Sequence, residues 1–526
     1  MGSVVRPRPR NPLWGLVLLL ALAATSVQAE TRALVIGIDE YEHMPLHGAV
    51  SDASDIEQSL RMIGVRDLVK RLDTEATRER LSADWQALIE RSKPGDMIVL
   101  TFAGHGSQEP ERIEGSEADG LDEVLLMFNF DEKEQRPAGR LYDDELHGWF
   151  TKANERDISV LFIADSCHSG TLTRSVDPRA SGLTYRNYAY TIPDEQLSLE
   201  PPSDLTTGAP EELENVTFFA AAQDHEQVPE VLIYDKQTGE PAIRGALSWA
   251  FSRALEGPAD KDGDGMLSLD ELKHYLRSNV RAKAQSRQTP NLLPEGKGQT
   301  VVLPIASLRS PQRPTTWPKP HIKLLGDPFA SERLSQDLDG VINRGVSETP
   351  DIIFDLNARE AVSHYGDVIA RDLEERDIRA VIEKWQAIER LNHERSGDRL
   401  STRILPDDGT HRRGEQVSFY FGKIELPYFA LFSLSGNGTV HFHYPLDGDP
   451  QTIPLAQPLQ LSFEVMPPYG ADQMIAVTSS EPLPRLIERL RELDGTQNAL
   501  AAAEATLNAL RSGGRQLGLQ GLYTAP

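Results

Sequence analysis

The chain has 526 residues, 80 acidic against 54 basic side chains for a formal net charge of −26, and one cysteine. Such a surface repels phosphate backbones and anionic lipid, so nucleic-acid and membrane-surface binding are disfavoured and cations and basic peptides are the natural partners. A single cysteine excludes an internal disulfide, and a length that suggests roughly two to four domains supplies enough core to do without one.

Residues 1–29 read as a processing segment: Arg6, Arg8 and Arg10 precede an apolar run from Leu13 to Ala24, and Val27-Gln28-Ala29 is a small-residue cleavage pattern. The run is short for a bilayer span. The expectation is a signal peptide cleaved after Ala29 and a periplasmic or secreted protein with no stable membrane span; an uncleaved anchor is the alternative.

From residue 30 the chain alternates strands and helices. Ala33 to Ile38 reads as a strand, Asp52 to Ile63 as a helix with Ile56, Leu60 and Ile63 on one face, and Glu75 to Ser92 as a helix with Leu81, Trp85, Leu88 and Ile89 on one face. The strand from Asp96 to Phe102 runs into Ala103-Gly104-His105-Gly106-Ser107. An acidic loop leads to a strand at 123–128, a helix at 143–152 and the buried strand Ile158 to Ala164, which ends on Asp165-Ser166-Cys167-His168-Ser169-Gly170. A proline-bearing stretch, 171–214, precedes a strand at 216–222 and a helix at 246–255. This alternation predicts an α/β fold with a mostly parallel sheet flanked by helices.

In such a sheet Cys167 and His105 both emerge at the carboxyl edge, where a thiol and an imidazole make a nucleophile and a base. A lone cysteine is most often a small buried hydrophobe, but Asp165, Ser166, His168 and Ser169 make a poor apolar pocket. Glycines on both sides of His105 let a backbone approach and leave an N–H for an oxyanion. His168 adjoins the nucleophile, yet neighbouring side chains at a strand end diverge, which ranks it below His105 as the base.

A second motif is Asp260-Lys-Asp-Gly-Asp-Gly-Met-Leu-Ser-Leu-Asp-Glu271, which satisfies the calcium-loop pattern with Asp260, Asp262 and Asp264, the Met266 carbonyl, Ser268 and Glu271 as oxygen ligands for Ca2+. The helix before it stops at Gly257-Pro258, so no paired EF-hand is expected, and an acidic turn without metal is the alternative. Beyond the proline-rich linker at 309–325, residues 326–400 read as a helical connecting region. Alternating runs in 401–482 predict a β-rich, sandwich-like accessory domain, and 483–526 a terminal helix and tail. His441 and His443 share one strand face, which suits a solvated face better than a metal site.

Taken together, AGHGSQ (103–108), ADSCHSG (164–170) and RALVIGIDEY…LHGAVSDA (32–53) resemble the motifs of metacaspases and bacterial caspase-like cysteine peptidases, over roughly half the chain. The resemblance implies a caspase-like domain at 30–308, with Cys167 as nucleophile, His105 as base and acid, and the N–H groups of Gly106 and Cys167 around the oxyanion. It also implies that Asp52 and Asp165 hold a basic side chain before the cut, although Asp52 equally suits a helix N-cap. Such enzymes often bind calcium at a separate acidic site, which Asp143 and Asp144 resemble in part, with Asp143 also placed to cap a helix. The expectation is a cysteine endopeptidase cleaving proteins after Arg or Lys, calcium-dependent and self-processing at Arg174, Arg179 or Arg186. The rival is a catalytically idle caspase-fold scaffold that binds calcium and a partner protein through residues 320–526.

Overall fold

A computed structural model of the protein describes residues 29–526 apart from 114–119, 135–136, 168–183, 191, 193–212, 224–225, 236–239, 261–263, 285–287, 294–300, 306–316, 318, 344–349, 364–365, 395–399, 407–408, 423 and 512–513. Most of the signal segment, His168, Arg174, Arg179 and Asp262 thus lie outside the described residues.

The first half contains β1 (Thr31–Gly37), α1 (Ala49–Met62), β2 (Leu68–Leu72), α2 (Arg78–Arg91), β3 (Met97–Ala103), β4 (Gly106–Pro110), β5 (Leu121–Leu126), β6 (Arg140–Tyr142), α3 (Asp143–Asn154), β7 (Ser159–Asp165) and β8 (Val216–Ala220). It continues with the hairpin β9 (Glu230–Tyr234) and β10 (Pro241–Gly245), then α4 (Ala246–Leu255), β11 (Met266–Ser268), α5 (Leu269–Lys283), β12 (Asn291–Leu293) and β13 (Val301–Pro304). Six of these strands form one sheet in the order β12-β8-β7-β3-β1-β2, parallel except for β12.

Period-two alternation gives each strand two buried faces. Ala33, Val35, Val99, Leu161 and Ile163 pack with α1, α4 and α5, whereas Leu34, Ile36, Leu100, Phe102, Val160 and Phe162 face α2 and α3. On the second side Trp85 stacks on Trp149 at 5.6 Å and meets Phe150 edge-on at 5.8 Å. Cutting such a fully buried ring back to alanine costs about 3–5 kcal/mol.

Two cap readings are corrected. Helix α1 begins before Asp52, because Asp39 accepts the amides of Ala49 at 2.8 Å and Val50 at 3.3 Å, so Asp52 lies within the first turn and is not its cap. Likewise Tyr142 stands at the N-cap of α3, Glu145 reaches back to its amide, and Asp143 is the first helical residue.

The region 326–400 is not mainly helical. It holds α6 (Pro328–Asp337) and α7 (Ile378–Glu394) against a sheet of β14 (Ile322–Leu325), β15 (Ile352–Asp355), β16 (Glu360–Ser363) and β17 (Val368–Ala370). The strand β14 also lies inside the stretch read as linker. Beyond it come β18 (Thr402–Leu405), β19 (Thr410–Arg412), β20 (Gln416–Phe421), β21 (Tyr428–Leu434), β22 (Val440–Tyr444), β23 (Leu459–Glu464) and β24 (Ala471–Ser479), then α8 (Pro484–Leu493), α9 (Ala499–Leu510) and β25 (Arg515–Ala525). The β18-β20-β23 sheet faces the β19-β25-β24-β21-β22 sheet across Phe419, Phe421, Phe429 and Leu431, while α7, α8 and α9 cover the far face of the larger sheet. The terminal tail is therefore a core strand, antiparallel to β24 along its length. His443 is half-buried, its Nε2 meeting Ser433 Oγ at 2.8 Å and its ring lying 4.8 Å from that of Phe463, and among the described residues no group of three metal-ligating side chains is gathered there.

Candidate active site

The register of the parallel sheet brings the two expected residues to one edge. Ala103 of β3 pairs with Asp165 of β7, and His105 and Cys167 each follow two residues beyond. Both are buried, at 0% and 1% exposure. His105 is held on several sides. Its ring lies 4.6 Å from that of Tyr41, its amide donates to the Tyr41 hydroxyl at 2.9 Å, and its Nε2 meets the Met44 carbonyl at 2.7 Å. A carbonyl only accepts, so the imidazole proton sits on Nε2 and Nδ1 is left as an acceptor. Burial pushes the imidazole down to about 4, with the Arg186 charge adding to the effect and the Met44 bond opposing it. Tyr41 was not legible as a site residue; the signal for it is Gly104, where a Cβ would stand 2.5 Å from the Tyr41 hydroxyl.

The decisive feature is the segment Thr184 to Tyr190, which lies across this edge, with isolated bridges from Tyr185 to Pro229 and from Asn187 to Gly106 on either side of a bend at Arg186. Thr184 and Arg186 exchange backbone bonds with Glu230 and Val228 at 2.8 Å. The Arg186 carbonyl accepts from the N–H of Gly106 and from the N–H of Cys167, each at 3.1 Å. Those are the two donors expected around an oxyanion. Gly106 is required at this point, since a Cβ would come within 2.2 Å of the Cys167 carbonyl oxygen.

The Arg186 side chain is fully buried among acids. Its Nη2 lies 2.5 Å from Asp52 and 3.5 Å from Glu230, and its Nη1 lies 3.2 Å from Asp165. Asp52 and Asp165 thus converge on one guanidinium, and Glu230 joins them as a residue that sequence reasoning missed. Each acid also rests on the start of a helix. Asp52 accepts the Gly245 amide at 2.8 Å and Asp165 the Ser248 amide at 2.7 Å, both at the N-terminus of α4, while Glu230 accepts the Gly48 amide at 2.9 Å below α1. Helix N-termini favour negative charge, so the pocket keeps its acids in place around a cation. Burial works against the Arg186 charge, but Asp165, Asp52 and Glu230 overcome it and hold the guanidinium above its usual range. The same burial, with Asp165 close by, holds the Asp52 carboxyl above its usual range even though Arg186 pulls against it.

Residues 31–175 match the family model described as metacaspase, peptidase C14 domain. That segment is similar to metacaspases. The chain is similar to Metacaspase-1 of Pyricularia oryzae, 29% identical over 150 residues that make up 27% of this chain and 36% of that protein. Metacaspase-1 of Plasmodium falciparum is 26% identical over 281 residues, covering 51% of this chain and 40% of its own length. The chain therefore spans well under two thirds of those relatives. Among solved structures, a Geobacter sulfurreducens protein covers 50% of this chain and 92% of its own at 21% identity and a TM-score of 0.36. The Drosophila initiator caspase Dronc covers 51% of this chain and 81% of its own at 12% identity and a TM-score of 0.29.

Away from the Cys167 edge, the loop at 260–271 offers the donors calcium prefers. Asp260 accepts the Gly265 amide at 3.0 Å, Asp264 the Met266 amide at 2.7 Å, and Gly265 takes the positive φ of 84° that the sharp turn needs. Ser268 and Glu271 form the capping box of α5, with Glu271 accepting the Ser268 amide at 3.0 Å. This oxygen-only set fits the ion chemically. Among the described residues, which omit Asp262, no group of three or more metal-ligating side chains is gathered together. At the other acidic corner, Arg112 pairs with Asp122 at 3.1 Å, and burial together with the Asp122 charge lifts the Asp144 carboxyl. No helix among the described residues is long and apolar enough to cross a membrane.

Proposed function

We propose that this protein is a cysteine endopeptidase that cleaves protein chains after arginine or lysine, and that its own Arg186–Asn187 bond is its first substrate. The observation that carries the reading is the seating of Arg186: its carbonyl lies between the two amides and its guanidinium lies among three carboxylates.

In this reading Cys167 gives its proton to His105 Nδ1 as the sulfur attacks the carbonyl carbon, and the negative charge on oxygen falls on the Gly106 and Cys167 amides. His105 then returns the proton to the leaving amine, and water hydrolyses the thioester. Burial keeps His105 neutral before the attack, so in this reading the pair begins as thiol and imidazole rather than as an ion pair. A basic side chain gains charge-assisted bonds from Asp52 and Asp165, and an acidic one meets like charge.

Calcium held by the 260–271 loop is the proposed cofactor, as a brace for the start of α5, and export through the N-terminal signal is the proposed location. The test is a fluorogenic arginyl or lysyl peptide together with an alkylating probe. Turnover that Cys167→Ala abolishes supports the enzyme. No turnover with or without calcium, and a Cys167 that resists alkylation in the Arg186→Ala variant, leaves the calcium-binding scaffold instead.

A further inference from the structure

Past Arg186 the docked segment continues over a surface that the reading above leaves unused. Asn187 bridges Gly106 in parallel register, Tyr188 donates its N–H to the Gly106 carbonyl at 3.1 Å, and Ser107 Oγ donates to the Tyr188 carbonyl at 2.6 Å. Extended backbone sends alternate side chains to the same side. Here those side chains are Tyr188 and Tyr190.

The Tyr188 ring stands edge-on to His105 at 6.0 Å and to Phe130 at 5.5 Å. Glu42, Asp131 and Glu132 rim it, together with Tyr41. The Tyr190 ring lies 4.9 Å from Phe130 and 5.5 Å from the Arg140 guanidinium, and its hydroxyl is bonded to Glu109. Glu109 and Arg140 are both fully buried and 2.7 Å apart, and Tyr142 donates to Glu109 at 2.6 Å. The tyrosines could simply anchor a loop. Against that, they follow directly on a residue seated for cleavage, and one wall of the Tyr188 site is His105 itself.

We propose that Phe130 divides two subsites beyond the cut, one against His105 and Tyr41 that takes an aromatic residue at the second position, and one against Arg140 and Glu109 that takes tyrosine at the fourth. The inference rests on the peptidase reading, in which Arg186 precedes the cut. Edge-to-face aromatic contacts and a buried carboxylate that accepts a hydroxyl supply the selection, and the acidic rim rejects Asp or Glu at the second position.

The test uses the wild-type protein and internally quenched peptides built as Thr-Tyr-Arg-Asn followed by Tyr-Ala-Tyr or by Ala-Ala-Ala. The tyrosine peptide is expected to show kcat/KM higher by about tenfold or more, as filling a desolvated pocket gives. Phenylalanine at the second position keeps that gain, phenylalanine at the fourth loses part of it, and Phe130→Ala levels the pair. In the chain itself, the double variant Tyr188→Ala, Tyr190→Ala cuts after Arg186 about tenfold more slowly or worse. Equal rates for the two peptides and an unchanged self-cleavage rate overturn the subsites and leave cleavage after arginine standing. Failure to cut any peptide or the chain itself removes the peptidase reading, and this inference with it.

Discussion

His105 and Asp52 carry the sharpest consequences. In the docked state His105 must be neutral to accept the thiol proton, and its pKa is held down to about 4, chiefly by burial and secondly by Arg186. The base form exists above that value, so self-cleavage is expected to persist as pH falls from 7 towards 5 and to fail only as pH drops through about 4. A rate that halves near the ordinary imidazole value, followed as fragment appearance against pH, would count against this seating. Asp52→Asn keeps an acceptor for the Gly245 amide but leaves a buried guanidinium short of charge. Such a loss costs about 3–5 kcal/mol, so kcat/KM for an arginyl peptide is expected to fall by a hundredfold or more. That Cys167, His105, Gly106 and Asp165 meet at one edge was legible, because each sits in a short motif at the end of an apolar strand, and Asp52 was legible from the motif that opens α1. Glu230 was not, since it lies over a hundred positions from the other pocket residues nearest in space to α1 and its role exists only once β9 folds back. Arg186 was legible as a possible cut site, but nothing in its neighbours showed that its carbonyl would bridge two amides.

Helix α4 shows how an element makes a site. Its apolar length was plain in the sequence, whereas the function of its first turn was not, because amide donors leave no trace in residue type. Gly245 precedes it, and a Cβ there would stand 2.2 Å from Asp165 Oδ2 and 2.3 Å from Arg186 Nη1. The backbone φ of −83° accepts alanine without strain. Gly245→Ala is therefore expected to abolish turnover of arginyl peptides while an alkylating probe still labels Cys167; retained turnover would show that the guanidinium does not enter here. Strand reading was weaker in the second half for a stated reason. Strands β14 to β17 are three or four residues long, too short for period-two alternation to stand out, and β25 carries Gly518 and Gly521 within it. Cross-strand pairing, which a single sequence does not display, makes them strands.

Across the whole molecule, the accessory region meets the first-half domain beside the pocket wall. Tyr234 at the end of β9 donates to Asp355 at 2.9 Å, Lys323 pairs with Glu240 at 2.7 Å, and the Lys283 amine is bonded to the Gly366 carbonyl. Gly366 lies close against Trp249, where a Cβ would approach to 3.0 Å. The hairpin that presents Glu230 thus has its far end fixed by another sheet. Calcium binding at 260–271 is expected to raise Tm by at least about 2 °C. Glu271→Gln keeps the capping box with Ser268 and is expected to remove that gain. Equal shifts in both proteins would mean that the ion binds elsewhere.

The most direct measurement is the intact mass and amino-terminal sequence of the purified chain, compared between wild type and Cys167→Ala. Two wild-type fragments, the second beginning at Asn187, beside an uncut Cys167→Ala chain are the predicted result. A wild-type chain that stays whole under conditions where it cuts arginyl peptides, or that breaks at another bond, would contradict the seating of Arg186 as a substrate.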